Sequence, residues 1–324
     1  MRSAIRTRAA LIIAGLLVAA CTSGAATTPS TAPSAAEPSA AAPSAAASVA
    51  ESLAPTPTLD PCAKDSLATV AAGKLTIGTD NPAYPPYYQI PETGSATAPW
   101  ELGDPNNGQG FESAFAYALA DELGFSKDAV TWIVVPFDNS FAPGAKKFDI
   151  DVNQVSYTAD RATAVDMSDG YYTLNQSIVA LKANGLASVT SIAGMKGFKF
   201  GAQLGTTSLD TINNVIAPTN AAKVYTTNDD AIAGLKAKQI DGLVVDLPTA
   251  FYVTAAQVDN SVIVGQFAAP TGSDAEHFSV VLAKGSALTG CVNAAIATMK
   301  SDGTLDTITR EWLSDKASAP VLAP

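Results

Sequence analysis

The chain has 324 residues, with 19 Lys and Arg against 30 Asp and Glu and a formal net charge of −11. Because a protein that binds nucleic acid needs a basic face for the phosphates, this acidic balance argues against DNA or RNA as a partner. A single His and three Cys argue against a His/Cys metal cluster, and we expect neither a metal nor a cofactor.

The first 21 residues predict export. They begin with three positive charges, Arg2, Arg6 and Arg8. An uncharged run over residues 9–20 follows, which has the length of a signal h-region and is too short to span a bilayer. The run ends at Cys21 after small residues, so we expect a lipobox in which Cys21 becomes a lipid anchor on the outer face of the cell membrane. The alternative is an ordinary secretory signal cut near Ala20, with Cys21 incidental.

Residues 22–61 consist mainly of Ala, Ser, Thr and Pro, with three charged residues, Glu37, Glu51 and Asp60. Recurring proline and the shortage of large apolar side chains mean that this stretch cannot bury enough surface to fold. We therefore expect a disordered tether between the lipid anchor and a globular body.

Two further cysteines lie in the body, Cys62 at its start and Cys291 near its end. Leftover cysteines in an extracytoplasmic protein usually pair, so we expect a disulfide between them. The alternative is two unrelated buried thiols. A bridge would join the N-terminal strand to the C-terminal helix.

From residue 74 onward, strand patterns alternate with helix patterns. The predicted strands are residues 74–79, 130–135, 148–152, 177–181, 198–202, 224–225, 240–245 and 278–283. The predicted helices are residues 110–124, 158–165, 208–216 and 229–238, one opened by Pro248, and one within residues 291–312. Strands separated by helical runs of about ten residues predict parallel βαβ units and an α/β fold.

The order of these elements predicts two lobes. The pattern restarts after residue 177, and a last strand and helix return to the first lobe from residue 277. We therefore expect lobe 1 to comprise residues 62–177 and 277–316, lobe 2 to comprise residues 178–276, and residues 317–324 to form a C-terminal tail. Two strands would form the hinge, and a ligand cleft would lie between the lobes.

Several different short sequence motifs are found along the body. They include Ile77-Gly78-Thr79-Asp80, Gly110-Phe111-Glu112, Phe148-Asp149, Val155-Ser156-Tyr157-Thr158-Ala159-Asp160-Arg161, Gly201-Ala202-Gln203-Leu204-Gly205-Thr206-Thr207, Ile240-Asp241-Gly242-Leu243-Val244-Val245-Asp246 and Lys300-Ser301-Asp302-Gly303-Thr304-Leu305. In this order, over residues 74–312, they make the chain resemble the polar amino acid family (family 3) of extracellular solute-binding proteins of ABC importers. Lysine/arginine/ornithine- and glutamine-binding proteins are examples of this family.

The resemblance implies a periplasmic-binding-protein type II-like fold, with two α/β lobes joined by a two-stranded hinge. It also implies an amino acid ligand and an ABC permease/ATPase complex as partner. We expect the protein to be a monomer. The family positions imply that the ligand contacts are Asp80, Tyr84, Tyr87, Phe137, Asn153, Gln154, Ser156, Arg161, Gln203, Thr206, Thr207 and Asp246.

For three of these residues, side-chain chemistry alone also supports a role in ligand binding. Thr158 is a good N-cap, which puts the Arg161 guanidinium beside a helix N-terminus, a well-matched site for the ligand carboxylate. Thr207 would add a hydroxyl to that carboxylate. Asp246 ends an apolar strand, where α/β ligands sit, and is the candidate for the α-ammonium. The alternative for Arg161 is a surface or interlobe salt bridge.

The side-chain end of the ligand site is less defined. Aromatic rings such as Tyr84 and Phe137 could stack on the ligand, or could pack in the hinge or core. Asp80 faces a cationic ligand side chain in the family's basic-amino-acid binders, or could cap the loop before Pro82. The family's hydroxyl pair is replaced here by Asn153 and Gln154, so specificity for lysine or arginine does not carry over. Residues 92–107 are an insertion that would cover the cleft mouth or decorate lobe 1.

Two other functions share this fold. A ligand sensor that docks to a membrane receptor would have the same body. A cyclohexadienyl-dehydratase-like enzyme would need a general acid or base in the cleft, from Asp80 or Glu112 for example. The sequence offers no paired-carboxylate or Ser/His constellation, and the sole histidine, His277, is expected to be structural. We therefore expect no catalytic residues and no enzyme activity.

Overall fold

The computed structural model describes residues 60–268, 275–313 and 319–324. The predicted signal segment, Cys21 and residues 22–59 of the predicted tether lie outside the described residues.

The described chain alternates strands with helices, as the α/β prediction requires. The strands are β1 Leu75–Thr79, β2 Val130–Val134, β3 Ile150–Asp151, β4 Asp166–Met167, β5 Tyr172–Thr173, β6 Gln176–Leu181, β7 Phe200–Gln203, β8 Lys223–Tyr225, β9 Gly242–Asp246, β10 Ser261–Gln266, β11 His277–Phe278 and β12 Val281–Leu282. The helices are α1 Phe111–Glu122, α2 Phe137–Ser140, α3 Ala159–Ala164, α4 Thr207–Asp210, α5 Asn228–Lys236, α6 Leu247–Tyr252, α7 Thr289–Ser301 and α8 Thr304–Trp312. Helix α4 continues into a π-helical segment, Thr211–Ile216, and α6 into another, Val253–Gln257.

The strands form two five-stranded mixed sheets. The first has the order β2-β1-β3-β12-β4, in which β1 runs parallel to β2 and β3 while β12 is antiparallel to its neighbours. The second has the order β10-β6-β9-β7-β8, in which β7 runs parallel to β8 and β9. We call the first sheet with α1, α2, α3, α7 and α8 lobe 1, and the second sheet with α4, α5 and α6 lobe 2. This is the predicted two-lobed α/β architecture.

Two crossings join the lobes through a small third sheet. The chain enters lobe 2 between β5 and β6 and returns between β10 and β11, and β5 pairs with β11 in antiparallel register. The predicted single strand at residues 278–283 is therefore wrong. It is two short strands, of which β11 belongs to the hinge and β12 to the lobe 1 sheet. The predicted lobe boundary after residue 177 falls inside β6.

The single C-terminal helix that was predicted is also two helices. They meet at Gly303, whose φ of +83° is a left-handed conformation that glycine adopts without strain and that ends an α-helix. Both helices pack on α1 and close one side of the lobe 1 core.

The predicted disulfide is present. Cys62 and Cys291 are bonded, with Cα atoms 5.4 Å apart and a sequence separation of 229. The bridge ties the start of the described body to α7, where Cys291 is buried in the lobe 1 core. Trp100, from the insertion at residues 92–107, is buried in the same core, so this part of the insertion is built into lobe 1.

The C-terminal residues return to lobe 2. Val321 forms a parallel bridge with Gln266, and Ala323 forms one with Ser191. The Leu322 side chain is buried in the lobe 2 core. Among the described residues, no helix is long and apolar enough to cross a membrane.

Candidate ligand-binding site

The two lobes enclose a cavity of about 160 Å³. A cavity of roughly 150 Å³ holds a molecule of the size of benzene, so this one suits a single small metabolite. Eleven of the twelve predicted ligand residues line it: Asp80, Tyr84, Phe137, Asn153, Gln154, Ser156, Arg161, Gln203, Thr206, Thr207 and Asp246. They come from both lobes, at the ends of strands that the fold brings face to face.

Tyr87 is the exception, because its ring does not line the cavity. The backbone N–H of Glu112 donates to the carbonyl of Tyr87, which ties this loop to the start of α1. The Tyr87 ring is thereby directed into the lobe 1 core, edge-on to Phe278, and its hydroxyl lies 3.2 Å from Thr249 Oγ1. Tyr88 lines the cavity instead, with its hydroxyl donating to the Val152 carbonyl at 2.5 Å.

Arg161 is held at one end of the cavity by contacts with both lobes. Thr158 Oγ1 accepts the Arg161 N–H at 3.1 Å, which is the predicted N-cap of α3. The guanidinium donates from Nη1 to the Ser156 carbonyl at 2.5 Å and from Nη2 to the Gly205 carbonyl of lobe 2 at 2.7 Å. Burial lowers the pKa of Arg161, although nearby carboxylates, Asp210 first, oppose this effect. The site is therefore a poorly hydrated positive charge, which favours an anionic group.

An aromatic pair flanks this guanidinium. Its carbon lies 4.3 Å from the centre of the Phe141 ring and 5.6 Å from that of Phe137, and the two rings meet edge to face. Such cation–π contacts restrict the guanidinium to one orientation. Phe141 was not predicted from the sequence, although its i+4 spacing from Phe137 could have indicated a shared face.

Asp246 lies at the hinge side of the cavity, at the carboxyl end of β9 as predicted. Its Oδ1 accepts from Gln176 Nε2 at 2.6 Å, and Gln176 Nε2 also lies 3.1 Å from Glu276 Oε1. Burial, and then the charge of Glu276, raises the pKa of Asp246 above its usual range. Gln176, at the start of β6 where the first crossing ends, and Glu276, in the second crossing, were not predicted from the sequence.

A third group of polar residues lies around Tyr84. The Tyr84 hydroxyl donates to Asp229, at the start of α5 in lobe 2, so this bond crosses the cleft. Asp80, on the lobe 1 side, also lines the cavity, and burial raises its pKa. Tyr84 and Asp80 were predicted from the sequence, whereas Asp229 was not. Among the described residues that line the cavity, Asp80, Asp229 and Asp246 oppose one cation, Arg161.

A buried carboxyl group supports the cavity wall from behind. Glu112 is fully buried and accepts from the Gln154 N–H at 2.7 Å, from the Gln154 side-chain amide and from the Tyr171 hydroxyl at 2.6 Å. Gln154 itself lines the cavity, so Glu112 fixes its position. Glu112 does not reach the cavity, which removes it as a candidate general acid or base for a ligand bound there.

Glu112 should make the stability of the protein depend on pH. Burial, only partly offset by the Tyr171 and Gln154 hydrogen bonds, raises its pKa from 4.5 to about 7. The folded state therefore keeps this proton to higher pH than the unfolded chain. The resulting stabilisation is complete below pH 4.5 and is lost as the pH rises through 7. Because protonation of Glu112 is linked to folding, the free energy of unfolding should fall by about 3 kcal/mol over this pH range.

Urea unfolding of wild type and Glu112→Gln at pH 5 and pH 8 measures this effect. We expect the free energy of unfolding of wild type to fall between these pH values by about 3 kcal/mol more than that of Glu112→Gln. The other buried carboxyl groups are present in both proteins and act as the internal control. Equal pH dependence of the two proteins would contradict the assignment.

Gly205 makes a close contact between the lobes. It has a φ of +74°, and a Cβ built on it would lie 2.8 Å from Asp138 Oδ1 of lobe 1. We therefore expect Gly205→Ala to lower ligand affinity, since the added methyl group opposes closure. The left-handed backbone should also cost about 1–2 kcal/mol of stability.

Gly144→Ala is the matched control, since Gly144 has a φ of +112° but no atom within 4 Å of the added Cβ. It should lower the melting temperature and leave affinity unchanged. Adding Asp138→Ala to Gly205→Ala should restore affinity but not stability. Affinity losses of the same size in Gly205→Ala and Gly144→Ala would refute the closure argument.

Within the described residues, no group of three or more His, Cys, Asp or Glu side chains is arranged to hold a metal ion. The residues that line the cavity carry carboxylate, hydroxyl, amide and guanidinium groups, which are groups able to hold a small zwitterion through hydrogen bonds and charge.

Comparison with known proteins decides the family. Residues 75–315 match the model of a family described as bacterial extracellular solute-binding proteins, family 3. The chain belongs to this family. The resemblance predicted from the sequence motifs is thereby confirmed, together with the type II periplasmic-binding-protein fold.

Two bacterial binding proteins and one solved ancestral protein are similar to this chain. The glutamine-binding protein of an ABC transporter from Bacillus subtilis (strain 168) is 31% identical over 220 residues, which cover 66% of this chain and 77% of that protein. The L-cystine-binding protein of Escherichia coli (strain K12) is 26% identical, covering 74% of this chain and 82% of that protein. A solved ancestral arginine-binding protein bound to glutamine is 31% identical, with a TM-score of 0.60, and covers 76% of this chain and 100% of that chain.

Proposed function

We propose that the protein captures a free α-amino acid with a cationic side chain by closure of its two lobes, and delivers it to an ABC importer. The observation that carries this proposal is the charge of the cavity. Three aspartates, Asp80, Asp229 and Asp246, face one arginine, Arg161, among the described lining residues. A ligand with one carboxylate and two cationic groups would pair its carboxylate with Arg161 and its two cations with two of the three aspartates.

The backbone part of the ligand would lie between Arg161 and Asp246. A guanidinium that is buried and flanked by rings binds a carboxylate through charge-assisted hydrogen bonds. Asp246, whose carboxylate is buried at the hinge, would accept from the α-ammonium. These two groups are the minimum needed to recognise any free α-amino acid.

The side chain of the ligand would extend toward Tyr84. Asp80 approaches this place from lobe 1 and Asp229 from lobe 2, so a cation between them would attract both lobes at once. A ligand stabilises the closed form in proportion to its extra affinity for that form. Charge at the end of the side chain would therefore promote closure as well as binding.

Titration calorimetry with L-arginine and L-glutamine tests the proposal. Loss of a hydrogen bond to a charged group weakens binding by about 10- to 100-fold. We expect Asp80→Asn and Asp229→Asn each to weaken arginine binding by that factor and to leave glutamine binding nearly unchanged. Asp128→Asn, an exposed site in lobe 1, is the control for the change in net charge. Equal losses for the two ligands would contradict the cationic specificity.

We also propose that Cys21 carries the lipid anchor and that residues 22–61 tether the body to the outer face of the membrane. The family is extracellular, and the named relatives include proteins of ABC transporters, which supports capture outside the cell and delivery to a permease. Fatty-acid labelling of the expressed protein tests the anchor. Label should be incorporated in wild type and lost in Cys21→Ser, whereas label retained in Cys21→Ser would refute it.

The proposed activity is binding without chemistry. The named relatives are binding proteins, although one similar solved structure, 28% identical with a TM-score of 0.57, is described as an ancestral amino acid-binding protein that is a precursor of cyclohexadienyl dehydratase. A sensor that docks to a membrane receptor would use the same cavity, and a pull-down with the permease distinguishes the two roles.

A further inference from the structure

Glu276 lies behind the hinge side of the cavity, outside its lining. Its Oε1 is within hydrogen-bond distance of three groups from three parts of the fold. Thr207 Oγ1 of lobe 2 lies at 2.6 Å, Ser156 Oγ of lobe 1 at 2.7 Å and Gln176 Nε2 of the first hinge crossing at 3.1 Å. One carboxylate oxygen therefore connects both lobes and the hinge.

The direction of these hydrogen bonds follows from the chemistry of the groups. An ionised carboxylate only accepts, and a hydroxyl group has a single hydrogen to donate. The hydroxyl groups of Ser156 and Thr207 therefore donate their hydrogen bonds to Glu276. Ser156 and Thr207 both line the cavity, and although Thr207 Oγ1 also accepts from Gln176 Nε2 at 3.3 Å, each hydroxyl oxygen keeps a lone pair for whatever is bound there.

Asp246 adds a third hydrogen-bond acceptor to these two hydroxyl groups. The carboxylate of Asp246 lines the same cavity and is linked to Glu276 through Gln176, which donates to Asp246 Oδ1 at 2.6 Å. The result is a site with three acceptors, one carboxylate and two hydroxyls. An ammonium group has three hydrogens to donate and no acceptor, so the number and direction of the bonds match.

We propose that Glu276 is a positioning residue that turns the Ser156 and Thr207 hydroxyls into acceptors for the ligand's α-ammonium. This inference rests on the proposed function. It also changes the role expected for Thr207, since a hydroxyl that donates to Glu276 has no hydrogen left for the ligand carboxylate. That role falls to Arg161 and to backbone N–H groups.

The test compares amino acids with analogues that lack only the α-amino group. The probes are L-arginine with 5-guanidinopentanoic acid, and L-glutamine with glutaramic acid. In Glu276→Gln the charged acceptor is replaced by a neutral amide, whose oxygen accepts more weakly and whose nitrogen can donate instead, so the two hydroxyls are no longer held as donors. We expect the affinity for whichever amino acid binds to fall by about 10- to 100-fold, and the affinity for its deaminated analogue to change by less than about twofold.

Two further variants separate positioning from a structural role at the hinge. Thr207→Val removes one of the hydroxyls, and Glu276→Gln should weaken amino acid binding less in that background than in wild type. Glu311→Gln, at an exposed position of α8, controls for the lost charge. It should change neither the affinity for the amino acid nor the affinity for its deaminated analogue.

Equal losses for an amino acid and its deaminated analogue would overturn the proposal, since a distorted hinge would weaken both ligands alike. Unchanged amino acid affinity in Glu276→Gln would also overturn it. A wild-type protein that binds no free amino acid would overturn the proposed function and the inference with it. That result is distinguishable because it is obtained before any variant is made.

Discussion

Replacing Arg161 by alanine should weaken amino acid binding by about 30-fold to several thousand-fold. Removing one partner of a buried, hydrogen-bonded charge pair costs about 2–5 kcal/mol, because the ligand carboxylate is left in the cavity without a counter-charge. The same change removes the bond from Nη2 to the Gly205 carbonyl, which links the lobes in the closed form. Arg161→Lys should recover little, since an ammonium cannot make both bonds of the guanidinium or stack in the same way on Phe141.

Titration calorimetry at fixed pH and ionic strength measures the loss. Arg310→Ala is the control, because Arg310 is an exposed arginine near the end of α8 and remote from the cavity lining. The melting temperature of each variant separates loss of binding from loss of folding. Wild-type affinity in a folded Arg161→Ala protein would remove Arg161 from the binding site.

Loss of the Cys62–Cys291 bridge should lower the free energy of unfolding by about 4–5 kcal/mol. The two cysteines are 229 residues apart, so the bond closes a loop that includes nearly all of the described body. In the loop-entropy description, a long closure restricts the unfolded chain strongly, and stability is gained accordingly. This is a large part of the 5–15 kcal/mol that holds a typical domain folded.

Urea unfolding of wild type and of the double variant Cys62→Ala/Cys291→Ala measures the contribution. Wild type in the presence of a reductant should behave like the variant, and the variant should not respond to the reductant. A difference below about 1 kcal/mol would show that the unfolded chain gains little freedom when the bond is absent. Ligand affinity should change little in the folded variant, because Cys62 and Cys291 lie outside the cavity lining.

Features that depend on neighbouring residues in the sequence were predicted well. The N-cap of Thr158 and the place of Arg161 in the first turn of α3 follow from a local rule and are present in the structure. Helix α6 begins directly after Asp246, the last residue of β9. Pro248 lies in the first turn of this helix, as the sequence indicated. The Asp246 position is therefore set by two local signals, an apolar strand and a proline that begins a helix.

Individual contacts between residues that are distant in the sequence were not predicted. Asp229 meets Tyr84 across a sequence separation of 145 residues, and Glu276 meets Ser156 across 120. Nothing near Asp229 or Glu276 in the sequence distinguishes them from the exposed acids on a solvated surface. Their roles appear only when both lobes are placed around the cavity.

Short strands were the other source of error. β4, β5, β11 and β12 each have two residues, which is too few for an alternating pattern to be visible. The longer β10 was also missed, and it pairs with β6 at the edge of the lobe 2 sheet. The hinge is built from two of the two-residue strands, so its existence could be expected from the family but its residues could not be read from the pattern.

The central claim is that this cavity binds a free amino acid with a cationic side chain. Thermal unfolding of the chain without residues 1–21, first freed of any co-purified ligand, tests it against the standard amino acids with ornithine, citrulline and cystine. A ligand present at 100 times its dissociation constant adds about 2.7 kcal/mol to the free energy of unfolding. We predict that arginine, lysine or ornithine gives the largest rise in melting temperature. A largest shift with a neutral amino acid, or a folded protein that shows no shift with any amino acid, would contradict the claim.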